Sequence, residues 1–248
     1  MKKGFTLSEI LITIGIVGVV SAIVVPNISA KITRNTIGSS LARAVELTET
    51  GMANIIQTAN DRTDEANIST LSALRRSDFG GNNNVLLVLQ NNRDTLLGDL
   101  TISYTNLQTA TPPNGYDNRN GNVYQFKKVK SYLIYVPNAV NLTSFVDRNG
   151  ITRAVEPNEV IRNVFLDANG ADQPNELGKD IFLFGLTDSG HLVPAGSQAY
   201  NNNIWNGSIQ MNCGGDTIPT GNDANGNDMR LSCAARVVND GYKINYNY

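Results

Sequence analysis

A single acidic residue near the start of a long apolar segment constrains this chain more than any other feature of its sequence. After a short basic leader with Lys2 and Lys3, residues 5–25 contain thirteen Phe, Leu, Ile or Val residues and one charge, Glu9. On the membrane-insertion scale these apolar residues contribute about −4 to −8 kcal/mol in total, whereas a central carboxylate costs roughly 2.5–3.5 kcal/mol. Insertion into a membrane is therefore favoured, and the acid within it needs a partner.

Two ordinary explanations exist for this segment. As a helix, residues 5–25 would be about 31 Å long, which matches the hydrocarbon thickness of a bilayer. A secretory signal peptide would need a small-residue cleavage site, for which Ser21 and Ala22 are a weak candidate, and would usually have a shorter apolar core. A plain membrane anchor, oriented by its lysines, accounts for the length. Neither explanation accounts for Glu9.

The residues around the acid are similar to a known processing signal. The segment 3–9, with the sequence KGFTLSE, resembles the class III signal of type IV pilins and type II secretion pseudopilins. The resemblance implies that a prepilin peptidase cuts between Gly4 and Phe5 on the cytoplasmic side and methylates the new amino group of Phe5. It also implies that Glu9 pairs with the Phe5 amino group of a neighbouring subunit. Pro26 lies where many of these proteins have a helix-perturbing proline.

The same resemblance implies a location and a set of partners. The precursor would be a single-pass protein of the inner membrane and would later be found in a cell-surface pilus or a periplasmic pseudopilus. Its partners would be copies of itself or other pilins, the prepilin peptidase and the inner-membrane assembly platform. Pairing with an ammonium in a low dielectric would offset much of the desolvation cost of the Glu9 carboxylate, and would set the register between subunits.

Taken with the resemblance, the sequence predicts an α+β fold of the pilin type. A long N-terminal α-helix would pack on an antiparallel β-sheet that is closed by a C-terminal disulfide loop. The predicted division is a leader (1–4), a transmembrane or filament-core helix (5–25), an amphipathic helical spine (26–60) and a globular, mostly-β domain (61–248).

The spine is predicted from helical spacing of apolar residues. They recur, with polar residues between them, at Ile28, Ile32, Ile37, Leu41, Val45, Met52, Ile55 and Ala59. We expect this stripe to be buried against the sheet. Pro26 removes a backbone donor, so a bend or local loosening is expected there, and residues 18–26 are expected to unwind when subunits pack in a filament.

Beyond the helix the patterns indicate mainly strands. Six segments bounded by Gly, Asn, Asp or Pro are candidates: 85–89, 100–104, 123–136, 160–166, 181–186 and 191–193. Residues 188–190 are expected to turn the last two into a hairpin. At the C-terminus, Asp240-Gly241 predicts a type I′ hairpin between strands at 231–239 and 242–248. Alternation of apolar and polar residues in 242–248 predicts that one face of it is buried.

The two cysteines, Cys213 and Cys233, both lie near the C-terminus. In a translocated domain an even count favours a disulfide, which in the chain-entropy model contributes about 3 kcal/mol. A C-terminal disulfide loop is also common in type IV pilins. Two unpaired buried thiols are the alternative, and a zinc pair is disfavoured because no Cys or His spacing matches one.

The pattern Asp-Ala-Asn-Gly-x-Asp occurs twice, at 167–172 and at 223–228. Oxygen ligands that alternate around a Gly turn suit Ca²⁺, which takes six to eight oxygens, and some pseudopilins bind calcium in a loop of the globular domain. The candidate ligands are Asp167, Asn169, Asp172 and Asp180. Neither copy is an EF-hand. Favourable Asn-Gly turns explain the pattern without a metal, so no cofactor is required and calcium is a hypothesis.

Catalytic signatures are missing from the sequence. His191 is the only histidine, and there is no Gly-x-Ser-x-Gly elbow, P-loop or Rossmann fingerprint. The formal charge is −2, or −4 without Lys2 and Lys3, and no basic run follows residue 3, which disfavours a nucleic-acid site. We therefore expect a structural filament subunit and not an enzyme. A membrane-anchored or secreted extracellular binding domain without a filament role is the alternative.

Overall fold

The computed structural model describes residues 6–62, 97–98, 122–126, 129–135, 145–146, 152–153, 160–170, 172, 174–201, 209, 212–224 and 226–248. The chain forms two compact units, Met1–Thr36 and Ile37–Tyr248. Helix α1 (Leu7–Arg62) is 56 residues long, which confirms the long N-terminal helix. The four-part division predicted from the sequence stays a prediction.

Within the second unit, one face of α1 is buried. The buried apolar side chains of this face are Ile37, Leu41, Ala44, Val45 and Met52. Ile28 and Ile32 are 53% and 59% exposed, so the prediction that the whole stripe is buried is wrong for these two residues. They precede the first residue of the second unit, where burial of the helix begins. The burial of Ile55 and Ala59 lies outside the described residues.

Among the described residues, the main sheet has six strands and is antiparallel throughout. Its order is β1-β2-β3-β6-β7-β8, and β4 and β5 form a separate two-stranded sheet. The strands are β1 (Leu97–Gly98), β2 (Asn122–Phe126), β3 (Tyr132–Tyr135), β4 (Phe145–Val146), β5 (Thr152–Arg153), β6 (Val160–Asp167), β7 (Ile181–Thr187) and β8 (Leu192–Pro194). The sheet and α1 together confirm the α+β class.

Of the six segments predicted as strands before the C-terminal hairpin, the four that fall on described residues are present. The interrupted segment 123–136 corresponds to β2 and β3, and the other three correspond to β6, β7 and β8. The turn at 188–190 is confirmed, because the Gly190 N–H donates to the Thr187 carbonyl at 3.0 Å and Gly190 has a φ of 87°. Left-handed backbone of this kind favours glycine. The predicted strands at 85–89 and 100–104 lie outside the described residues.

Both faces of the sheet are buried around β6 and β7. Side chains alternate along a strand, so Phe182 and Phe184 join the core formed with α1, whereas Ile181 and Leu183 join a second core on the opposite face. The second core also contains Tyr200 from the short helix α2 (Gln198–Asn201). Its other members are Phe165, Leu177, Ala195, Ile209 and Leu231. The globular unit is therefore a sheet covered on two sides.

The prediction of a C-terminal hairpin is wrong. Residues 231–239 are not a strand; a 3-10 turn (Met229–Ser232) leads into helix α3 (Cys233–Asn239). Asp228 caps the turn by accepting a hydrogen bond from the Arg230 N–H at 2.9 Å. Gly241, with a φ of 67°, follows the end of α3 and donates to the Val238 carbonyl at 3.0 Å. A left-handed Gly suits a helix C-terminus as well as a hairpin, and here it ends the helix.

The last seven residues form no strand, and the predicted alternation of burial holds only in their middle, because Tyr248, which the pattern placed on the buried face, is 41% exposed. Ile244 and Tyr246 are buried, whereas Lys243, Asn245 and Asn247 are exposed. The segment runs beside the disulfide loop through one parallel bridge, in which the Ile218 N–H donates to the Asn247 carbonyl at 2.9 Å. An extended backbone therefore gives the period of two without a full ladder.

Candidate functional site

The first half of α1 is apolar on every side. Its exposed large side chains are Leu7, Ile10, Leu11, Ile12, Ile14, Ile16, Val17, Val19, Val20, Ile23, Val24, Val25, Ile28 and Ile32, and we call residues 7–32 the apolar helix segment. By length and composition, α1 is the one helix among the described residues that could cross a membrane. A helix that is apolar all round belongs in lipid or in a packed helix bundle.

Two polar side chains of this segment bond to carbonyls of their own helix. Thr13 Oγ1 donates to the Glu9 carbonyl at 2.6 Å, and Asn27 Nδ2 donates to the Ile23 carbonyl at 3.1 Å. Thr33 and Thr36, just beyond it, bond in the same way to the carbonyls of the residues four positions earlier. Hydrogen bonds of this kind let Thr13 and Asn27 lie in apolar surroundings without water.

Glu9 forms a capping box with Thr6 at the start of α1. The Thr6 N–H and the Thr6 hydroxyl both donate to Glu9 Oε2, at 2.8 and 2.7 Å, and the Glu9 N–H donates to Thr6 Oγ1 at 3.3 Å. The carboxylate also lies at the positive end of the helix dipole. Our sequence interpretation missed the role of Thr6, although Thr-x-x-Glu before an apolar run is the sequence signature of this motif.

The other residues to which the sequence assigns a role in processing or assembly are Gly4, Phe5 and Pro26. Gly4 and Phe5 lie outside the described residues, so the cleavage position and the pairing of Glu9 with Phe5 stay predictions. α1 continues through Pro26 as helix in the single chain. The unwinding of residues 18–26 on assembly stays a prediction as well.

Two of the four proposed calcium ligands are buried carboxylates that organise the loop between β6 and β7. Asp167 Oδ1 accepts hydrogen bonds from the backbone N–H groups of Asn169 (3.2 Å) and Gly170 (2.8 Å). The two Asp180 oxygens accept from the N–H groups of Asn175 and Glu176, each at 2.8 Å. The pattern Asp-Ala-Asn-Gly thus supplies acceptors for a tight turn, which is the role that the same residue types have in Asx turns.

The other two candidate calcium ligands, Asn169 and Asp172, lie in different surroundings. Asn169 reaches Asp180 with its side chain, whereas Asp172 is exposed and lies 3.4 Å from Lys130 Nζ. The structure therefore brings Asp167, Asn169 and Asp180 together and leaves Asp172 at the surface. Within the described part of the chain, no group of three or more His, Cys, Asp or Glu side chains could hold a metal ion. Calcium binding at this loop stays a prediction.

Asp180 should give the globular unit a measurable pH dependence. Burial raises the pKa of its carboxyl above the ordinary value, although bonds from Glu176, Asn175 and Asn169 act to lower it. A raised pKa in the folded state means that the contribution to stability is complete below the unfolded pKa of about 3.9 and is lost as pH rises through the folded pKa. We expect Asp180→Asn to lower the free energy of unfolding, because one backbone donor loses its acceptor. The difference in this free energy between wild type and variant should be largest near pH 4 and should become smaller towards pH 7.

Urea unfolding of both proteins at the two pH values measures this gap. Asp172→Asn is the matched control, since its exposed pair with Lys130 contributes about 0–1 kcal/mol and should leave the profile unchanged. If the difference in free energy of unfolding between wild type and Asp180→Asn were constant, or became larger towards pH 7, the raised pKa of Asp180 would be contradicted.

The second copy of the pattern, at 223–228, serves a different local purpose. Asp223 Oδ1 accepts from the Asn227 N–H at 2.9 Å and closes a short turn, while Asp228 forms an ion pair with Arg230 at 2.6 Å. The two carboxylates therefore have separate partners. The repeat is explained by turn formation at both positions.

The predicted disulfide is confirmed. Cys213 and Cys233 are bonded, their Cα atoms are 5.0 Å apart, and both are fully buried. Arg236 holds the loop from α3, because its guanidinium donates to the carbonyls of Cys213 (3.1 Å) and Gly215 and lies 5.2 Å from the ring centre of Tyr246. Our sequence interpretation did not identify Arg236, and no sequence signal points to it, because the carbonyls that it bonds lie 23 and 21 residues away along the chain.

His191 lies just before β8, next to Glu49 of α1. Its side chain is 71% exposed, and its Nδ1 lies 3.7 Å from Glu49 Oε1. The same Glu49 oxygen accepts a hydrogen bond from the Leu192 N–H at 2.9 Å, so it ties α1 to the start of β8. Glu49 and the residues His191 and Leu192 thus form a contact between α1 and the turn before β8 within the globular unit.

Comparison with known proteins identifies the N-terminal segment. A family model described as the prokaryotic N-terminal methylation motif matches residues 1–25. This motif is the prepilin-type signal of type IV pilins and pseudopilins, and the resemblance noted in the sequence is confirmed for this segment. No curated protein and no solved structure matches the chain significantly. The chain therefore carries a prepilin-type signal, which overlaps the start of a helix long and apolar enough to cross a membrane.

Proposed function

We propose that this chain is the precursor of a structural subunit of a type IV pilus or of a type II secretion pseudopilus. Prepilin peptidase cuts it between Gly4 and Phe5 and methylates the new amino group, and the subunit then joins a helical filament through α1. The observation that supports the proposal best is the apolar helix segment, exposed on every side, with one acid in its first turn and a methylation motif around it.

The exposed apolar surface is too large to be left in water. Full burial of one Leu, Ile or Val side chain contributes about 1.5–3 kcal/mol, and the apolar helix segment presents fourteen of them. Either lipid or neighbouring helices can cover this surface. Because lipid is as apolar as a helix bundle, the step from membrane to filament gains little from hydrophobicity and depends on packing and polar pairing.

Glu9 supplies the polar pairing in this proposal. Within the part of the chain that the structure describes, its carboxylate accepts hydrogen bonds from the two donors of Thr6, and an ionised group in apolar surroundings stays costly. The ammonium of a processed neighbour would complete its set of partners with a charge-assisted hydrogen bond, which is stronger than a neutral one. Assembly is then favoured at one register, where each Phe5 amine meets one Glu9.

The proposed subunit has a defined orientation in the inner membrane and a defined set of partners. Lys2 and Lys3 keep the leader on the cytoplasmic side of the inner membrane, in accordance with the positive-inside rule. The globular unit is exported, in keeping with its buried disulfide, since disulfides persist in oxidising compartments. The partners are copies of this chain or other pilins, the prepilin peptidase and the assembly platform, and the final location is a cell-surface pilus or a periplasmic pseudopilus.

The mass of the mature protein tests this proposal. In cells with the peptidase we expect the protein to lack residues 1–4 and to carry one additional methyl group on Phe5, measured by intact-mass and N-terminal peptide mass spectrometry. The same gene in peptidase-deficient cells is the control and should yield the full chain. The alternative, a membrane-anchored or secreted binding domain, predicts an intact Met1 or cleavage near Ala22 in both strains, and either result would overturn the proposal.

A further inference from the structure

A positively charged stretch of α1 lies at the end of the apolar helix segment. Residues 10–45 contain no acidic residue, and their basic residues are Lys31, Arg34 and Arg43. The Arg43 guanidinium lies 2.6 Å from a carboxylate oxygen of Glu46. Lys31 and Arg34, by contrast, have no acidic residue three or four positions away on either side. Neighbouring turns of α1 therefore do not neutralise these two cations.

We call residues 31–36 the cationic neck. All of them are exposed except Arg34, which is half-buried. The hydroxyls of Thr33 and Thr36 each donate to a carbonyl of their own helix at 3.0 Å, so these neutral groups are satisfied locally. Lys31 and Arg34 are three residues apart and share one face of the helix. What the neck offers to a partner is therefore positive charge.

The cationic neck lies at the depth of the lipid headgroups when residues 5–25 cross the bilayer. Lys31 lies six residues after residue 25, or about 9 Å of helix, and the polar layer on each side of the hydrocarbon is about 5–8 Å thick. Helical side chains point towards the helix N-terminus, so Lys31 and Arg34 extend back towards the membrane and place their charges among phosphates. Loops on the exported side of a span usually carry fewer basic residues, and a headgroup contact explains this departure.

We propose that the cationic neck binds the phosphate groups of anionic phospholipids on the exported side of the inner membrane. This inference rests on the proposed membrane state of the precursor. Lysine and arginine both donate to phosphate oxygens, and the charge strengthens these hydrogen bonds. The contact holds α1 at one depth in the bilayer before assembly, and its loss adds to the cost of leaving the membrane.

Carboxylates of a second copy of the chain are less suited to this role. Five carboxylates among the described residues of the globular unit already lie within 3.6 Å of a Lys or Arg nitrogen, namely Glu46, Asp172, Glu176, Asp228 and Asp240. Each of them would have to share or leave its present partner. An anionic lipid surface instead supplies charge at the depth of the neck, and it attracts each nearby Lys or Arg by about 1 kcal/mol.

The experiment measures which lipid lies next to the cationic neck. The full chain carries a fluorophore on Asn35→Cys, which reacts selectively because Cys213 and Cys233 are bonded to each other. This labelled parent is reconstituted into vesicles of phosphatidylcholine and phosphatidylglycerol in equal parts. Quenching by nitroxide-labelled phosphatidylglycerol is divided by quenching by phosphatidylcholine with the same label, and this ratio is the preference for anionic lipid.

We expect the labelled parent to prefer phosphatidylglycerol. Lys31→Gln should lower this preference about fivefold, the factor that corresponds to about 1 kcal/mol for one cation near an anionic surface. The double variant with Arg34→Gln should lower it further, whereas Lys31→Arg should keep it. Salt should weaken the preference of the parent, because the screening length falls from about 10 Å at 0.1 M to about 3 Å at 1 M.

Arg43→Gln is the matched control, because it removes the same charge from the same helix at a residue already paired with Glu46. It should leave the preference unchanged, and a loss as large as that of Lys31→Gln overturns the inference, since the effect is then one of net charge. Equal quenching by the two lipids, or a Lys31→Gln preference equal to that of the parent, also overturns it and leaves the proposed function in place. A chain that alkaline carbonate releases from the vesicles overturns the inference together with the membrane state on which it rests.

Discussion

Replacement of both cysteines by alanine is expected to lower the free energy of unfolding of the globular unit by about 3 kcal/mol. The bond joins residues 20 apart in the sequence, and a loop of that length contributes about 3 kcal/mol in the chain-entropy model. Arg236 also bonds to the carbonyls of Cys213 and Gly215, so a looser loop weakens these contacts too. Chemical unfolding followed by circular dichroism measures the change.

Reduction of the wild-type protein provides the matched control for this prediction. With dithiothreitol present, the wild-type protein should lose about the same 3 kcal/mol, whereas the Cys213→Ala/Cys233→Ala variant should not respond to the reductant. Equal unfolding midpoints for the wild type with and without reductant would contradict a stabilising role. A response of the double variant would show that the reductant acts elsewhere.

Strands were predictable where the hydrophobic pattern is decisive. About half of the residues of β6 and β7 are β-branched or aromatic, and both strands lie between turn residues, which favours strands over short helices. The structure buries β7 on both faces, which is typical of such an apolar run, although only a strand was predicted there. Which chain segments cover the second face was not predictable, because Tyr200, Ile209 and Leu231 come from three separate regions that only the tertiary structure brings together.

The C-terminal helix was mispredicted because its local signals are ambiguous. Asp240-Gly241 suits a hairpin turn and a helix C-terminus equally, since both use left-handed backbone at Gly. Ala234 and Ala235 favour helix by intrinsic propensity, and both are buried on α3. Asp228 caps the 3-10 turn that precedes α3, whereas Ser232 at the start of α3 itself makes no capping bond with its side chain, so the sequence offers no clear helix-start signal within 231–239.

The candidate site was predictable in its electrostatics and not in its local bonding. An acid within an apolar segment identifies Glu9 by its desolvation cost alone. The reciprocal bonds with Thr6 depend on where α1 begins, and helix ends are the least certain part of a sequence prediction. For the loop between β6 and β7, the sequence showed which oxygen-bearing side chains are present but not what they bind. In the structure Asp167 and Asp180 each accept hydrogen bonds from two backbone N–H groups.

Gly38→Ala is expected to destabilise the globular unit by about 2 kcal/mol or more, since overpacking of a well-packed contact costs about 1–3 kcal/mol. A Cβ at Gly38 would lie 2.0 Å from the backbone carbonyl oxygen of Tyr242. The obstacle cannot rotate away, because it is main chain in the turn after α3. That turn is held by the Tyr242 N–H, which donates to the Val237 carbonyl at 2.7 Å. Alanine would gain about 1 kcal/mol in helix propensity, which the clash outweighs.

Gly214→Ala is the matched control, because a Cβ there meets no heavy atom within 4 Å and its φ is not left-handed. It should change the free energy of unfolding by no more than about 0.5 kcal/mol, as an exposed substitution usually does. Urea unfolding of the two variants beside wild type gives both values. A Gly38→Ala protein as stable as wild type would mean that α1 and the turn after α3 do not approach as closely as described. Because this contact joins the helix to the last residues of the chain, its loss should also raise the rate of hydrogen exchange in α3.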